Sequence, residues 1–306
     1  MPQAANQHLI DILPNVRGSY RADANLAKTN WFNIGGPAEV LFRPADREDL
    51  AYFLKHKPKE VPVTVIGVGS NLLVRDGGIS GVVIRLGRGF TAIDHQGLCM
   101  RAGAGALCFN VATMAAECGL AGLEFLSGIP GTVGGAVFMN AGAYGSDISA
   151  VLESAEVIDE AGEFHTLSVS DMGYVYRGNT LPEGMIVTGA VLKAHKGDKQ
   201  KIMEQIQNIS KQREDTQPIR SKTSGSTFKN PPGKKAWQLI DEAGCRGLKV
   251  GGAEVSAKHC NFFINTGEAT ASDMEELGEE VRRRVFAKTG IMLEWEVKRI
   301  GNKYEE

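Results

Sequence analysis

Apolar positions recur at helical spacing in some stretches of the chain and at strand spacing in others. In DREDLAYFLKHK (46–57), Leu50, Phe53 and Leu54 fall on one face. Asp46 stands where an N-cap belongs and Asp49 follows three residues later, so a capped helix is predicted. VPVTVIGVGSNLLVRDGGISGVVIRLG (61–87) reads as strand, glycine turn, extended piece, turn and strand. Residues 106–118 predict a helix with Leu107, Val111, Met114 and Cys118 inward, ended by Gly119. Short β-rich runs dominate 151–195, and a helix over 198–213 follows, with Ile202, Ile206 and Ile209 on one face.

The pattern breaks at REDTQPIRSKTSGSTFKNPPGKK (213–235), which is polar, basic and proline-containing. This segment is read as a domain crossing, with TSGSTFKNP (223–231) as a turn. Beyond it come a short helix over about 234–243 closed by Gly244, the strand NFFIN, and a long helix over 271–288. A Thr270-to-Asp273 capping box opens that long helix, and Met274, Leu277, Val281 and Val285 line its inner face. Arg282, Arg283 and Arg284 lie near its C-terminal end, where the helix dipole favours cations, so they are read as helix electrostatics and not as a phosphate site.

Composition narrows the classes. A net charge of -2 over 306 residues supplies no basic field for nucleic acid. The five cysteines show no CxxC spacing, and the opening MPQAANQHLIDILPN lacks a basic region followed by an apolar run. Buried thiols, no disulfide and a reducing cytoplasm are expected. The six histidines pair with no carboxylate or second His at metal-ligand spacing, so no metal is expected. Residues 125–146 contain no charge, but six glycines and several polar side chains argue against a membrane span.

Two glycine clusters carry the first chemistry. Gly67, Gly69, Ser70, Asn71 and Leu72 follow a strand and begin like a GxGxxG fingerprint. Leu72 stands where the third glycine belongs and the following residues are β-like, so a Rossmann site is not indicated. Backbone N–H groups in such a turn can instead form an anion-binding nest. In SGIPGTVGGAVFMNAGAYG (127–145), Pro130 is predicted in the first turn of a helix, whose free N–H groups attract a pyrophosphate. Together the clusters point to a large phosphate-bearing cofactor.

TNWFNIGGPA (29–38), VIGVGSNLLVRDGG (65–78), SGIPGTVGGAVFMNAGAYG, YVYRGN (174–179), GSTFKNP (225–231), AWQLIDEAGCRGLKVGGAEVSAKHCNFFIN (236–265) and EWEVKRIG (294–301) occur in that order. This series closely resembles the UDP-N-acetylenolpyruvoylglucosamine reductase (UDP-N-acetylmuramate dehydrogenase) family, in its shorter type without a tyrosine-bearing insertion. The resemblance implies an α+β protein. Its FAD-binding region is of the vanillyl-alcohol-oxidase (PCMH) type in two subdomains, 1–88 and 89–210, followed by an α+β substrate-binding domain over 211–306. It implies non-covalent FAD held by Gly67, Gly69, Ser70, Asn71 and Leu72 and by Gly128, Ile129, Pro130, Gly131, Thr132, Gly134, Gly135, Asn140, Ala141 and Gly142. NADPH is the implied reductant and a UDP-sugar the implied substrate, contacted by Tyr176, Lys229, Asn230 and Lys235. A monomer is expected, in the cytoplasm, with no nucleic-acid or membrane partner.

Reducing an enolpyruvyl ether requires stabilisation of charge building toward the carboxylate and a proton delivered to C2. Arg177, always charged and able to grip a carboxylate with two hydrogen bonds, suits the first need. Its alternation with Tyr174 and Tyr176 places it at a strand end. Within TSGSTFKNP, Ser224, Ser226 and Thr227 compete as proton donor, and composition does not choose among them. Lys229 and the upstream Lys222 suit the easing of a transient alkoxide, and the resemblance assigns Ser226 as the donor. It also assigns Glu296, which lies in a strand-like alternation with Leu293, Trp295 and Val297 inward. A carboxylate there needs an environment that raises its pKa. Two rival readings stand beside this one: an FAD oxidase or dehydrogenase of the same fold on another substrate, and a non-catalytic nucleotide-binding protein.

Overall fold

The computed structural model describes residues 8–304. The first residues of the stretch read for a leader lie outside them. The chain divides into two compact units. The first runs through Ala24 and adds Ala38–Gly67 and Ser80–Ser210; the second takes Asn25–Pro37, Val68–Ile79 and the chain from Lys211 onward.

In the first unit, a four-stranded sheet has the order Ser19–Asn25, Pro37–Arg43, Ile79–Arg85, Val63–Ile66, and its last two strands run parallel. The helix Arg47–His56 begins where its pattern predicts. The Asp46 carboxylate accepts the Asp49 N–H at 2.9 Å, and Leu50, Phe53 and Leu54 are buried. Each such side chain contributes about 1.5–3 kcal/mol by leaving water. Phe53 packs on Phe42 with ring centroids 4.6 Å apart. Asp49 is itself buried, and its carboxylate accepts the N–H groups of Arg17, Gly18 and Ala45.

A second, antiparallel sheet has the order Phe164–Ser168, Leu152–Ile158, Ile186–Lys193, Cys99–Gly103, Ile93–Gln96. The helix Cys108–Glu117 packs in its core, on a different face from the one predicted. Leu107 and Cys118 are exposed, while Cys108, Val111, Ala112, Ala115 and Ala116 are buried. Spacing read from the larger side chains alone missed a stripe of alanines, which let the helix approach its neighbours closely. The expectation of buried thiols holds for Cys108, Cys245 and Cys260, but Cys118 is exposed and Cys99 half-buried; all five are free. Burial pushes the Cys108 thiol up to about 12.

In the second unit, the sheet Lys249–Val250, Ala253–Val255, Phe263–Asn265 packs with the helices Ala236–Glu242 and Ala271–Thr289. The Thr270–Asp273 capping box is formed, and Gly290 closes the long helix in the left-handed region. Met274, Leu277, Val281 and Val285 are buried as the pattern requires. Arg282 pairs with Glu279, and Arg283 and Arg284 pair with Glu280, so the arginine run is tied up along its own helix. Hydrogen bonds from these two arginines hold the Glu280 carboxyl down at about 2. The strand Lys298–Ile300 pairs in parallel with Leu72–Val74.

Among the described residues, no helix is long and apolar enough to cross a membrane. The uncharged run 125–146 folds instead into the short helix Val133–Met139 and the turns around it.

Candidate active site

The candidate residues fall in both units, and each set is described within its own. In the first unit Gly67 meets the second glycine cluster at Thr132. A Cβ built on Gly67 would lie 2.7 Å from the Thr132 hydroxyl oxygen, so only glycine admits this approach. Thr132 is the N-cap of Val133–Met139 but makes no side-chain cap bond. Pro130 precedes the helix and is not in its first turn, which corrects that expectation. The Val133 and Gly134 N–H groups donate to the carbonyls of Ala106 and Ala104 at 2.8 Å each, and Gly131 N–H to Ile129. Those three donors serve the fold. Gly134 is required by packing, since its Cβ would stand 2.8 Å from that of Ala104, whereas a Cβ at Gly135 would meet nothing nearer than the Thr132 hydroxyl at 3.6 Å. Gly128 likewise makes room for the Tyr144 ring.

Arg177 is not at a strand end. Val175 and Gly178 exchange both backbone hydrogen bonds, at 3.0 and 3.2 Å, leaving Tyr176 and Arg177 at the tip of a two-residue turn. Arg177 has φ 58°, a left-handed conformation usually left to Gly or Asn at that turn position. Such a residue costs of the order of 1–3 kcal/mol and is held by its surroundings. The Arg177 guanidinium donates to the Gly142 carbonyl at 3.0 Å and sits 5.2 Å from the centre of the Tyr176 ring. Tyr174 donates to the Val137 carbonyl at 2.9 Å, Asn179 to that of Phe138 at 2.5 Å, and Asn140 to that of Val175 at 3.3 Å. The turn is thus hooked onto the carbonyl end of Val133–Met139, where helical partners are lacking. Asn140, at the left-handed C-cap, also accepts the Ser149 N–H. Ala141 accepts the Ile148 N–H through its carbonyl. The anchoring roles of Tyr174 and Asn179 were not read from sequence. Their one signal is the polar tips interleaved in YVYRGN.

In the second unit, TSGSTFKNP is extended and not a turn, apart from bends at Gly225, with φ 84°, and at Thr227. Ser226 bridges to Phe262, and Phe228 to Trp295. The Thr227 carbonyl accepts from Glu296 N at 2.8 Å and Val297 N at 3.3 Å, and Lys229 N donates to Glu294 O at 2.8 Å. This ladder brings the segments carrying Ser226 and Glu296 side by side. The shared acceptance at Thr227 is a bulge-like irregularity, so period-2 alternation does not carry through it.

Burial separates the competing hydroxyls. Thr223, Ser224 and Thr227 are 4%, 2% and 1% exposed, and their hydroxyls have no hydrogen-bond partner among the described residues. Ser226 is half-buried and keeps an open side, as does Glu296. A Cβ on Gly225 would meet nothing within 4 Å, so the approach to Ser226 is open on that side too.

The remaining expected contacts are placed as follows. Asn71 donates to the Glu296 carbonyl at 3.1 Å, and its own carbonyl accepts Lys298 N. Leu72 begins the strand paired with Lys298–Ile300. Gly69, φ 69°, packs where a Cβ would lie 2.5 Å from Asn30 Cα, and Ser70 follows it half-buried. The first glycine cluster therefore supports the segment that carries Glu296 and leads into the strand Lys298–Ile300. The Lys229 ammonium lies 3.5 Å from the Glu294 carboxylate. The Asn230 side chain accepts Ala236 N–H at 2.9 Å, and Lys235 is the exposed N-cap of that helix.

Residues 38–168 match the FAD binding domain family, and residues 217–300 match the family described as UDP-N-acetylenolpyruvoylglucosamine reductase, C-terminal domain. The chain is 57% identical over 305 residues to the UDP-N-acetylenolpyruvoylglucosamine reductase of Parvibaculum lavamentivorans, covering 100% of this chain and 98% of that one. It is 57% identical over 289 residues to the reductase of the same name from Azorhizobium caulinodans, covering 94% of each. The crystal structure of UDP-N-acetylenolpyruvylglucosamine reductase from Thermus caldophilus superposes with a TM-score of 0.81 at 39% identity, over 93% of this chain and 99% of that one. The α+β class and an FAD-binding region are therefore as the motif series implied. At these identities and coverages, the chain belongs to the UDP-N-acetylenolpyruvoylglucosamine reductase family of oxidoreductases and carries an FAD-binding domain.

Proposed function

We propose that the protein reduces the enolpyruvyl ether of UDP-N-acetylglucosamine enolpyruvate to UDP-N-acetylmuramate, a peptidoglycan precursor, with NADPH as reductant. A monomer acting in the cytoplasm completes this reading. The observation that carries it is the accessibility of Ser226 among four neighbouring hydroxyls, on an extended segment hydrogen-bonded to the one that bears Glu296.

The glycine-lined approach of Gly67 to Thr132, inside a segment without charged side chains, suits a flavin dinucleotide held non-covalently. Gly128 to Thr132, Gly134, Gly135 and Asn140 to Gly142 line that region, and Gly69 to Leu72 are assigned to the same cofactor. When bound and reduced, FAD supplies the hydride for the vinyl carbon C3. Arg177 grips the substrate carboxylate, where negative charge accumulates, and its fixed turn geometry avoids reorganisation during the reaction. Ser226 donates its proton to C2. Glu296 acts beside the developing enediolate in its protonated form or while sharing a proton with it. Tyr176, Lys229, Asn230 and Lys235 contact the UDP-sugar. The substrate-binding role is assigned to the C-terminal region from residue 211.

Anaerobic mixing of the purified protein with NADPH, followed by the enolpyruvyl UDP-sugar, tests this. Bleaching of the bound flavin in the first step and recovery of its colour in the second are expected. Ser226→Ala should keep the bleaching and slow the recovery roughly 10²–10⁴-fold, as for a positioned acid. Bleaching without substrate-dependent recovery would mean a flavoenzyme for another substrate, and no bleaching a nucleotide-binding protein without this chemistry. Equal damage to both steps would make Ser226 a structural residue.

A further inference from the structure

We propose that Asn261 is a positioning residue for Ser226, acting through the backbone of Phe228; this rests on the function proposed above. Asn261 is 3% exposed, and its side chain takes the place of a neighbouring strand. Phe228 N–H donates to Asn261 Oδ1 at 3.0 Å, and Asn261 Nδ2 donates to the Phe228 carbonyl at 2.8 Å. The Asn261 backbone carbonyl accepts Thr227 N–H at 2.7 Å, and its own N–H donates to His259 Nδ1 at 3.3 Å.

The need for this arrangement follows from the ladder. Where Phe228 pairs with Trp295, the inter-strand bonds are made by the flanking residues Thr227 and Lys229. The N–H and C=O of Phe228 therefore face the other edge. Phe228 is fully buried, so both groups would lie unpaired away from water without the carboxamide. One primary amide supplies the acceptor and the donor together. Ser226 is two residues away on the same extended segment, bridged to Phe262, the residue after Asn261. Asn261 thus sets the position of the whole strip 226–228. A proton donor displaced by about 1 Å can lose on the order of 10²-fold in rate.

The test uses the full-length holoprotein with Asn261→Asp and Asn261→Ala. The carboxylate of Asn261→Asp keeps the acceptor for Phe228 N–H and loses the donor, so it reports even where Asn261→Ala does not fold. Reduction of the flavin by NADPH should proceed at the wild-type rate in both. Recovery on adding the enolpyruvyl UDP-sugar should slow by about 10–10²-fold, with a larger solvent deuterium isotope effect than wild type, because proton delivery has become limiting. Recovery at the wild-type rate, or equal slowing of both steps, would overturn the assignment. Absence of recovery in the wild-type protein would instead remove the proposed function, and is seen before any variant is measured.

Discussion

The backbone N–H of Glu296 donates to the carbonyl of Thr227 at 2.8 Å. This bond ties the segment after the long helix Ala271–Thr289 to one inside the chain's polar crossing, and it sets Glu296 beside the residue next to Ser226. On the far side of Glu296, its carbonyl accepts from Asn71. The strip that carries Ser226, the proposed proton donor, is thereby supported on one edge by the Glu296 segment and on the other by Asn261.

Ser224 and Thr227 provide the sharpest control for Ser226. Both hydroxyls are buried without a partner among the described residues, so each is a desolvated polar group with nothing in return. Ser224→Ala and Thr227→Val should leave stability unchanged or raise it by up to about 1 kcal/mol in urea denaturation. A loss larger than that in either variant would reveal a water that satisfies the hydroxyl. Ser224→Ala should also leave flavin recovery at the wild-type rate.

Gly278 lies on the long helix directly under Trp295. A Cβ there would stand 2.1 Å from the indole ring. The ring cannot swing away easily: it packs at a tilt 5.0 Å from Phe228, lies under Arg299 at 4.5 Å, and donates to Glu279 at 3.0 Å. Alanine is favoured over glycine in a helix by about 1 kcal/mol, and overpacking costs about 1–3 kcal/mol. At a contact this short, the second effect should win. Gly278→Ala is expected to lower the denaturation midpoint with an unchanged slope, and a raised midpoint would show that Trp295 has another place to go.

His259 gives the fold a pH dependence. Burial lowers its pKa below the ordinary 6.5, and the Arg246 charge adds to this against an opposing backbone hydrogen bond. Its Nδ1 accepts the Asn261 N–H, a role open only to the unprotonated nitrogen. As pH falls below 6.5, the unfolded chain takes up a proton that the folded protein resists, so stability is lost with falling pH. The melting temperature should therefore drop between about pH 7 and pH 5 more steeply in the wild type than in His259→Asn, whose side-chain oxygen can accept the same bond without titrating. Parallel curves for the two proteins would assign the drop to other groups.

Much of the secondary structure was legible in the chain. The capping box at Thr270 and Asp273, the apolar faces of Arg47–His56 and Ala271–Thr289, and the strand order around the first glycine cluster all come from local periodicity and capping, which short stretches encode by themselves. The face of Cys108–Glu117 was not, because alanines bury as readily as leucines when a helix packs closely. The turn at Arg177 was not either. Alternating tyrosines imitate a strand, and only the exchange of hydrogen bonds between Val175 and Gly178 distinguishes the two.

At the level of function, sequence by itself determined the family, through an ordered series of motifs spread over nearly the whole chain, and the kinds of side chain that chemistry requires. It left Ser224, Ser226 and Thr227 chemically equivalent. Tertiary structure set them apart in burial, leaving Ser226 the more accessible, since only packing from distant segments determines which hydroxyl is covered. It likewise made Asn261 the partner of Phe228. That pairing depends on where two extended segments cross, and no local pattern of residues specifies a crossing.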